Sequence, residues 1–256
     1  MTEKLQRIQA YDVSEGINSP GTIFKMNSGN IDFKTSFFTY FSLFFLLILF
    51  PMMSMQSMGD SAEILQRLEN MNISFFIIAT IGFQWLMFLL IFLSTKMEQT
   101  GLGGVGLKKF RGVDFSWGIA FFLGGSLVVV GSLTWFLAQL GLAVPGEIEF
   151  LIPRDTTGRI LWVGLSFSAA FCEEIVFRGY LMTRLRLTGK FKSWFFPVVA
   201  SALAFGISHS YEGWAGIILI SIYGALFSLL YIRTGTLWPG IVAHFFHDFM
   251  ALFFPW

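Results

Sequence analysis

Phe171-Cys172-Glu173-Glu174-Ile175-Val176-Phe177-Arg178-Gly179-Tyr180 sets two carboxylates and a guanidinium inside an apolar run from about Leu161 to Leu181. Each ionised group near a bilayer centre costs roughly 2.5–3.5 kcal/mol even on the mildest scale, so such a cluster marks a functional site. On a helix, Glu174 and Arg178 are i,i+4 neighbours with the carboxylate nearer the amino-terminus, the favourable order for an ion pair. Glu173 points about 100° away from Glu174 and is not the geometric partner of Arg178. It is the carboxylate left for proton transfer.

The surroundings of this stretch are those of a membrane protein. The 256 residues are 55% hydrophobic and 13% charged, with a mean hydropathy of +0.68, whereas a soluble domain carries about 25% charged residues. The expected fold is all-α: a polytopic transmembrane helix bundle of about seven to eight spans. The formal charge of +1 and the lack of a concentrated basic patch exclude a nucleic-acid partner and leave membrane lipid as the surroundings. Cys172, the one cysteine, has no partner for an intramolecular disulfide and reads as a small buried hydrophobe.

Outward from the opening stretch, residues 1–35 are polar, lack the apolar core of a signal peptide and read as a cytoplasmic arm. Apolar runs at 36–55, 73–93 and 115–140 are long enough to span and make up an amino-terminal transmembrane region, 36–145. Gly101-Leu102-Gly103-Gly104-Val105-Gly106 matches GxGxxG, but it follows a membrane helix and opens no βαβ unit, so it reads as a loop. Runs at 161–181, 194–210, 214–232 and 236–254 form a carboxy-terminal core, 160–254. Arg184, Arg186, Lys190 and Lys192 read as a basic cytoplasmic loop touching anionic headgroups. With the amino-terminus inside, only Arg67, Arg154 and Arg159 fall outside, which predicts a multi-pass cell-membrane protein with a cytoplasmic amino-terminus.

All 3 histidines fall in or beside the last spans: His209 four residues after Phe205, and His244 and His247 together with Asp248. His244 and Asp248 are i,i+4 and share a face, so Asp248 can orient His244; His247, at i+3, could join that face instead. Histidines, carboxylates and an arginine gathered within spans point to proton chemistry rather than to packing.

Three blocks in order, Glu173-Glu174-x-x-x-Arg178, Phe205-x-x-x-His209 and His244-x-x-x-Asp248, resemble the CAAX-processing and bacteriocin-processing (CPBP, or Abi) family of intramembrane proteases. The resemblance covers roughly 160–254 and implies an endopeptidase whose catalytic core is the carboxy-terminal four spans. It implies that Glu173 and His209 activate water, that Glu174 and Arg178 maintain the surroundings of Glu173, and that His244 faces the developing oxyanion. Many members have Asn where this chain has Asp248; an ionised Asp cannot donate to an oxyanion, so Asp248 is assigned to orienting His244 or to a metal. A divalent ion such as zinc, with Glu173, His209, His244 and Asp248 as candidate ligands, would suit the chemistry, but no HExxH is present and the glutamate mechanism does not require the ion. The implied substrates are membrane-embedded peptides or proteins: prenylated CAAX proteins, or bacteriocin and pheromone precursors.

Two other classes compete. A proton-coupled transporter would use the same groups as a relay, though no internal repeat is evident. A non-catalytic membrane scaffold or immunity protein would keep the fold without using it. Depth poses one conflict: at ~1.5 Å per residue, Glu173 and His244 lie about 10–12 Å from the inner face, while His209 falls roughly 10 Å nearer the outer one.

Overall fold

The computed structural model describes residues 7–8, 31–32, 34–56, 58, 72–142 and 152–253. Most of the amino-terminal arm, the connection bearing Asp60, Glu63, Arg67 and Glu69, and the loop with Pro145, Glu147 and Glu149 lie outside the described residues. Apart from a two-residue antiparallel pairing of Arg7–Ile8 with Ile31–Asp32, the described residues form helices and their connections.

Helix α1 (Phe37–Met55) opens on a reciprocal cap: the Ser36 hydroxyl accepts from the Thr39 amide at 3.3 Å, and the Thr39 hydroxyl accepts from the Ser36 amide at 3.0 Å. Pro51 has no N–H for the preceding turn, and α1 widens just before it into a π segment, Phe45–Leu49. Helix α2 (Ile73–Met97) starts where the Asn72 side chain accepts from the Phe75 amide at 3.1 Å. Helix α3 (112–139) starts where the Asp114 carboxylate accepts from the Arg111 amide at 2.9 Å.

Helix α4 (Thr156–Thr188) is capped by Asp155, which accepts from the Gly158 amide at 2.9 Å, and carries the motif stretch in its middle. Helix α5 (Phe195–Ile207) has only 13 residues, with Pro197 in its first turn, where a missing N–H costs nothing. A 3₁₀ turn at Ser210–Glu212 leads into α6 (Gly213–Thr234), and α7 (Trp238–Met250), again 13 residues, has Pro239 in its first turn.

Helices α5 and α6 form an antiparallel hairpin, α2 lies along α4, and α7 packs on both α3 and α4. The core falls into two clusters: a larger one around Leu46, Ile91, Ile175, Tyr180, Leu181 and Leu237, and a smaller one of Phe122, Tyr223, Phe227 and Ala243 between α3, α6 and α7. The outside is apolar: Phe37, Phe75, Ile160 and Phe195 are each more than 65% exposed. That is a surface suited to hydrocarbon rather than water.

Helices stand close to where hydropathy predicts them, but the expected seven to eight spans are not all matched by spanning helices. Among the described residues, four are long and apolar enough to cross a bilayer: Phe37–Met55, Ile73–Met97, Thr156–Thr188 and Ser210–Thr234. Helix α5 covers only about 20 Å at 1.5 Å per residue, short of a ~30 Å hydrocarbon core.

Candidate active site

The motif stretch continues α4 as a π segment, Glu174–Met182, all nine of whose residues are buried. Such wide turns recur at functional sites. Glu174 Oε1 lies 3.0 Å from Arg178 Nη1, with both side chains 1% exposed, as the i,i+4 spacing predicts. The contact is an ion pair without hydrogen-bond alignment, and Nη2 has no acceptor among the described residues. The guanidinium instead lies between two rings, its carbon 4.0 Å from the centroid of Phe205 and 5.1 Å from that of Phe227. Two glycines make room: a Cβ at Gly240 would stand 2.8 Å from Glu174 Oε2, and one at Gly224 would stand 3.2 Å from Arg178 Nη2.

His244 on α7 meets this pair. Its Nδ1 is 3.2 Å from Glu174 Oε1, its Nε2 is 3.6 Å from Asp248 Oδ2, and Nε2 is 3.8 Å from Glu173 Oε2. A carboxylate only accepts, so Nδ1 carries its proton toward Glu174. The closest orienting contact at His244 is therefore with Glu174, and Asp248, expected to orient the ring, stands on the other ring nitrogen beside Glu173. Glu173 remains the more open glutamate, 18% exposed against 1% for Glu174. His247 turns to Tyr223, with ring centroids 5.0 Å apart.

His209 lies just past the end of α5. Its Nδ1 is 2.8 Å from the Phe205 carbonyl. That oxygen must accept, so Nδ1 holds the hydrogen and a neutral ring presents the Nε2 lone pair. Ser201 on α5 donates to the Phe177 carbonyl on α4 at 2.9 Å, which sets the register of the two helices. One turn on from Ser201, the Phe205 ring lies 5.0 Å from that of Phe177 and 6.3 Å from that of His244, and His209 follows one further turn on. For Glu173 the expected difference in depth from His209 narrows, because the fourth helix does not end at Leu181. It runs on to Thr188, which adds about 10 Å on the Glu173 side. Tyr211 and Glu212 are within electrostatic reach of the Glu173 and Asp248 carboxylates, and His209 of Asp248.

Two features escaped sequence reasoning. Gln84, in the middle of α2, donates from Nε2 to Glu173 Oε1 at 3.2 Å, across 89 residues of chain. Arg184, expected in a headgroup-facing loop, is instead 1% exposed and paired with Glu98 at 2.7 Å. Its other N–H groups reach the Gly104 carbonyl at 3.0 Å and the Thr100 hydroxyl at 2.9 Å, while Tyr180 and Thr39 donate to Glu98 at 2.9 and 2.8 Å. Glu98 ends an apolar run one residue after Met97, and no local spacing links it to Arg184. The GxGxxG stretch is a loop, as read, with a 3₁₀ turn at Leu102–Val105, and it supplies the Gly104 carbonyl to this network.

Among the described residues no group of three or more His, Cys, Asp or Glu side chains is arranged to hold a metal ion. The four candidate ligands thus do not form a ready coordination set among the described residues. No curated protein and no solved structure matches the chain. Residues 155–250 match the family model described as type II CAAX prenyl endopeptidase, Rce1-like. This matched segment contains Glu173, Glu174, Arg178, His209, His244 and Asp248, and over it the carboxy-terminal part of this membrane helix bundle is similar to the Rce1-like endopeptidases, consistent with the CAAX-processing and bacteriocin-processing family of proteases.

Proposed function

We propose that the protein is an intramembrane endopeptidase that hydrolyses a peptide bond in membrane-associated substrates, prenylated CAAX peptides foremost, with Glu173 and His209 activating water. The observation that carries the reading is the convergence of three helices on one carboxylate: Glu173 on α4 with Gln84 of α2 at 3.2 Å and His244 of α7 at 3.8 Å, Asp248 beside His244 at 3.6 Å, all among apolar helices.

A water held by Glu173 and the His209 Nε2 lone pair attacks the scissile carbonyl carbon and gives a proton to Glu173. Electron density moves to the carbonyl oxygen, and His244, as an imidazolium with Nδ1–H on Glu174, turns Nε2–H to that oxyanion. The tetrahedral species collapses, the C–N bond breaks, and Glu173 returns its proton to the leaving amine. Glu174 with Arg178 fixes His244, and Asp248 beside Nε2 favours the charged ring. In this reading the amino-terminus is cytoplasmic and the peptide reaches the site from the bilayer.

The test uses purified protein in detergent, a farnesylated CAAX peptide and an unprenylated transmembrane peptide. The parent should release the residues after the prenylated cysteine, and Glu173→Ala, His209→Ala and His244→Ala should each lose at least about a hundredfold in rate while remaining folded. A chelator added to the parent should leave cleavage intact. Unchanged cleavage by Glu173→Ala would sink the mechanism, and cleavage of the unprenylated peptide alone would move the substrate class.

A further inference from the structure

Gln84 stands in the middle of the apolar helix α2, between Phe83 and Trp85, which are 39% and 41% exposed. Its own side chain is turned inward and Gln84 is 7% exposed. An amide in hydrocarbon is costly unless both its ends are satisfied. Here only one end is: Nε2 donates to Glu173 Oε1 at 3.2 Å, while Oε1 is buried without a hydrogen-bond partner among the described residues. The orientation therefore serves Glu173 and leaves the glutamine's own carbonyl unpaired. A residue retained only for packing would be better replaced there by Leu or Met, which carry no orphaned acceptor.

From this juxtaposition we infer that Gln84 is a positioning residue for the Glu173 carboxylate, contributed by the amino-terminal helices outside the family-matched segment. The inference rests on the proposed role of Glu173. A carboxylate free to swing at the end of two side-chain torsions would sample many directions, and the fixed amide donor selects one of its oxygens. With Oε1 of Glu173 held by Gln84, Oε2 is the oxygen left on the His244 side, 3.8 Å from Nε2. The glutamine thus divides the carboxylate into an anchored oxygen and a working one. It also couples α2 to the α4–α7 site: a displacement of α2 along α4 would move the base. Removing the donor should lower the turnover number and leave substrate binding unchanged, because Gln84 reaches the reaction only through Glu173.

Three preparations test this in detergent: the parent, Gln84→Met, which keeps length and volume without the donor, and Gln84→Asn, which keeps the amide and withdraws it by one methylene. Two readouts are taken. One is cleavage of the farnesylated CAAX peptide, split into kcat and KM. The other needs no substrate: labelling by dicyclohexylcarbodiimide, which adds to a protonated carboxyl with no leaving group, read by mass spectrometry on the peptide that contains Glu173. A hydrogen bond to a charged group is worth a factor of about ten or more, so kcat should fall about tenfold with KM unchanged, and Glu173 should label about tenfold faster in both variants. The unfolding midpoint of Gln84→Met should equal or exceed the parent's. Equal labelling in parent and Gln84→Met overturns the positioning role, as does a fall in stability that accounts for the lost rate. If the Met variant does not fold, the Asn variant decides on the same two readouts. Failure of the hydrolytic reading appears separately, as Glu173→Ala that still cleaves.

Discussion

Replacing Arg178 by Met should uncover an uncompensated charge in the middle of the bundle. Both members of the Glu174–Arg178 pair are 1% exposed, so without the guanidinium the carboxylate stays buried with His244 Nδ1 at 3.2 Å as its remaining ionic partner among the described residues. Removing one partner of a buried pair costs about 3–5 kcal/mol. The lost cation–π contacts with Phe205 and Phe227 add little, since methionine sulfur also packs well on rings, within about 1 kcal/mol. The double variant Glu174→Gln with Arg178→Met removes both charges and leaves an acceptor oxygen for His244. It should recover about 2 kcal/mol or more of the loss, a coupling that a double-mutant cycle isolates. The assay is equilibrium unfolding in mixed micelles, followed by helical circular dichroism, on the parent, both single variants and the double. A single Arg178→Met variant as stable as the parent, or a double variant less stable than the single, would refute the compensated-pair account.

Two further outcomes follow from contact geometry. Gly240→Ala would place a methyl 2.8 Å from Glu174 Oε2, inside contact distance; peptide cleavage should fall at least about tenfold and stability by about 1–3 kcal/mol, measured on the same preparation. Arg184→Met should destabilise the fold by about 3–5 kcal/mol by stranding Glu98, yet leave kcat per folded molecule close to the parent's, since that network stands apart from the His244 cluster.

The sequence exposes what is local. Apolar runs mark the helices, and Glu173, Glu174 and Arg178 stand out because hydrocarbon tolerates no idle charges. The i,i+4 rule identifies the Glu174–Arg178 pair because one helix carries both ends. What it hides is long-range. Gln84 is one amide in an apolar helix, and its partner lies 89 residues away. Arg184 sits among Arg186, Lys190 and Lys192 and so reads as part of a solvated loop; the helix runs through it to Thr188, and its partner Glu98 belongs to the end of another helix. The end of the fourth helix reads short for the same reason: hydropathy marks where apolar character stops, whereas hydrogen bonding carries α4 on to Thr188. Helix α5 is apolar along its length but only 13 residues long, because apolar character fixes a run's composition and not its helical length.

The brevity of α5 bears on the lipid around it. One side of this 13-residue helix shows Phe195, Phe196, Val199 and Leu203 outward, while α6 and α4, which pack on it, have 22 and 33 residues. A flank of about 20 Å beside neighbours longer than a ~30 Å hydrocarbon core is a hydrophobic mismatch built into one molecule. Acyl chains spanning this flank would compress along α5 and relax elsewhere, a local thinning of the bilayer beside the helix that ends just before His209. Lipids with longer chains would raise the cost of that deformation and load it onto the α5–α6 hairpin, making bilayer thickness a variable of the site's geometry.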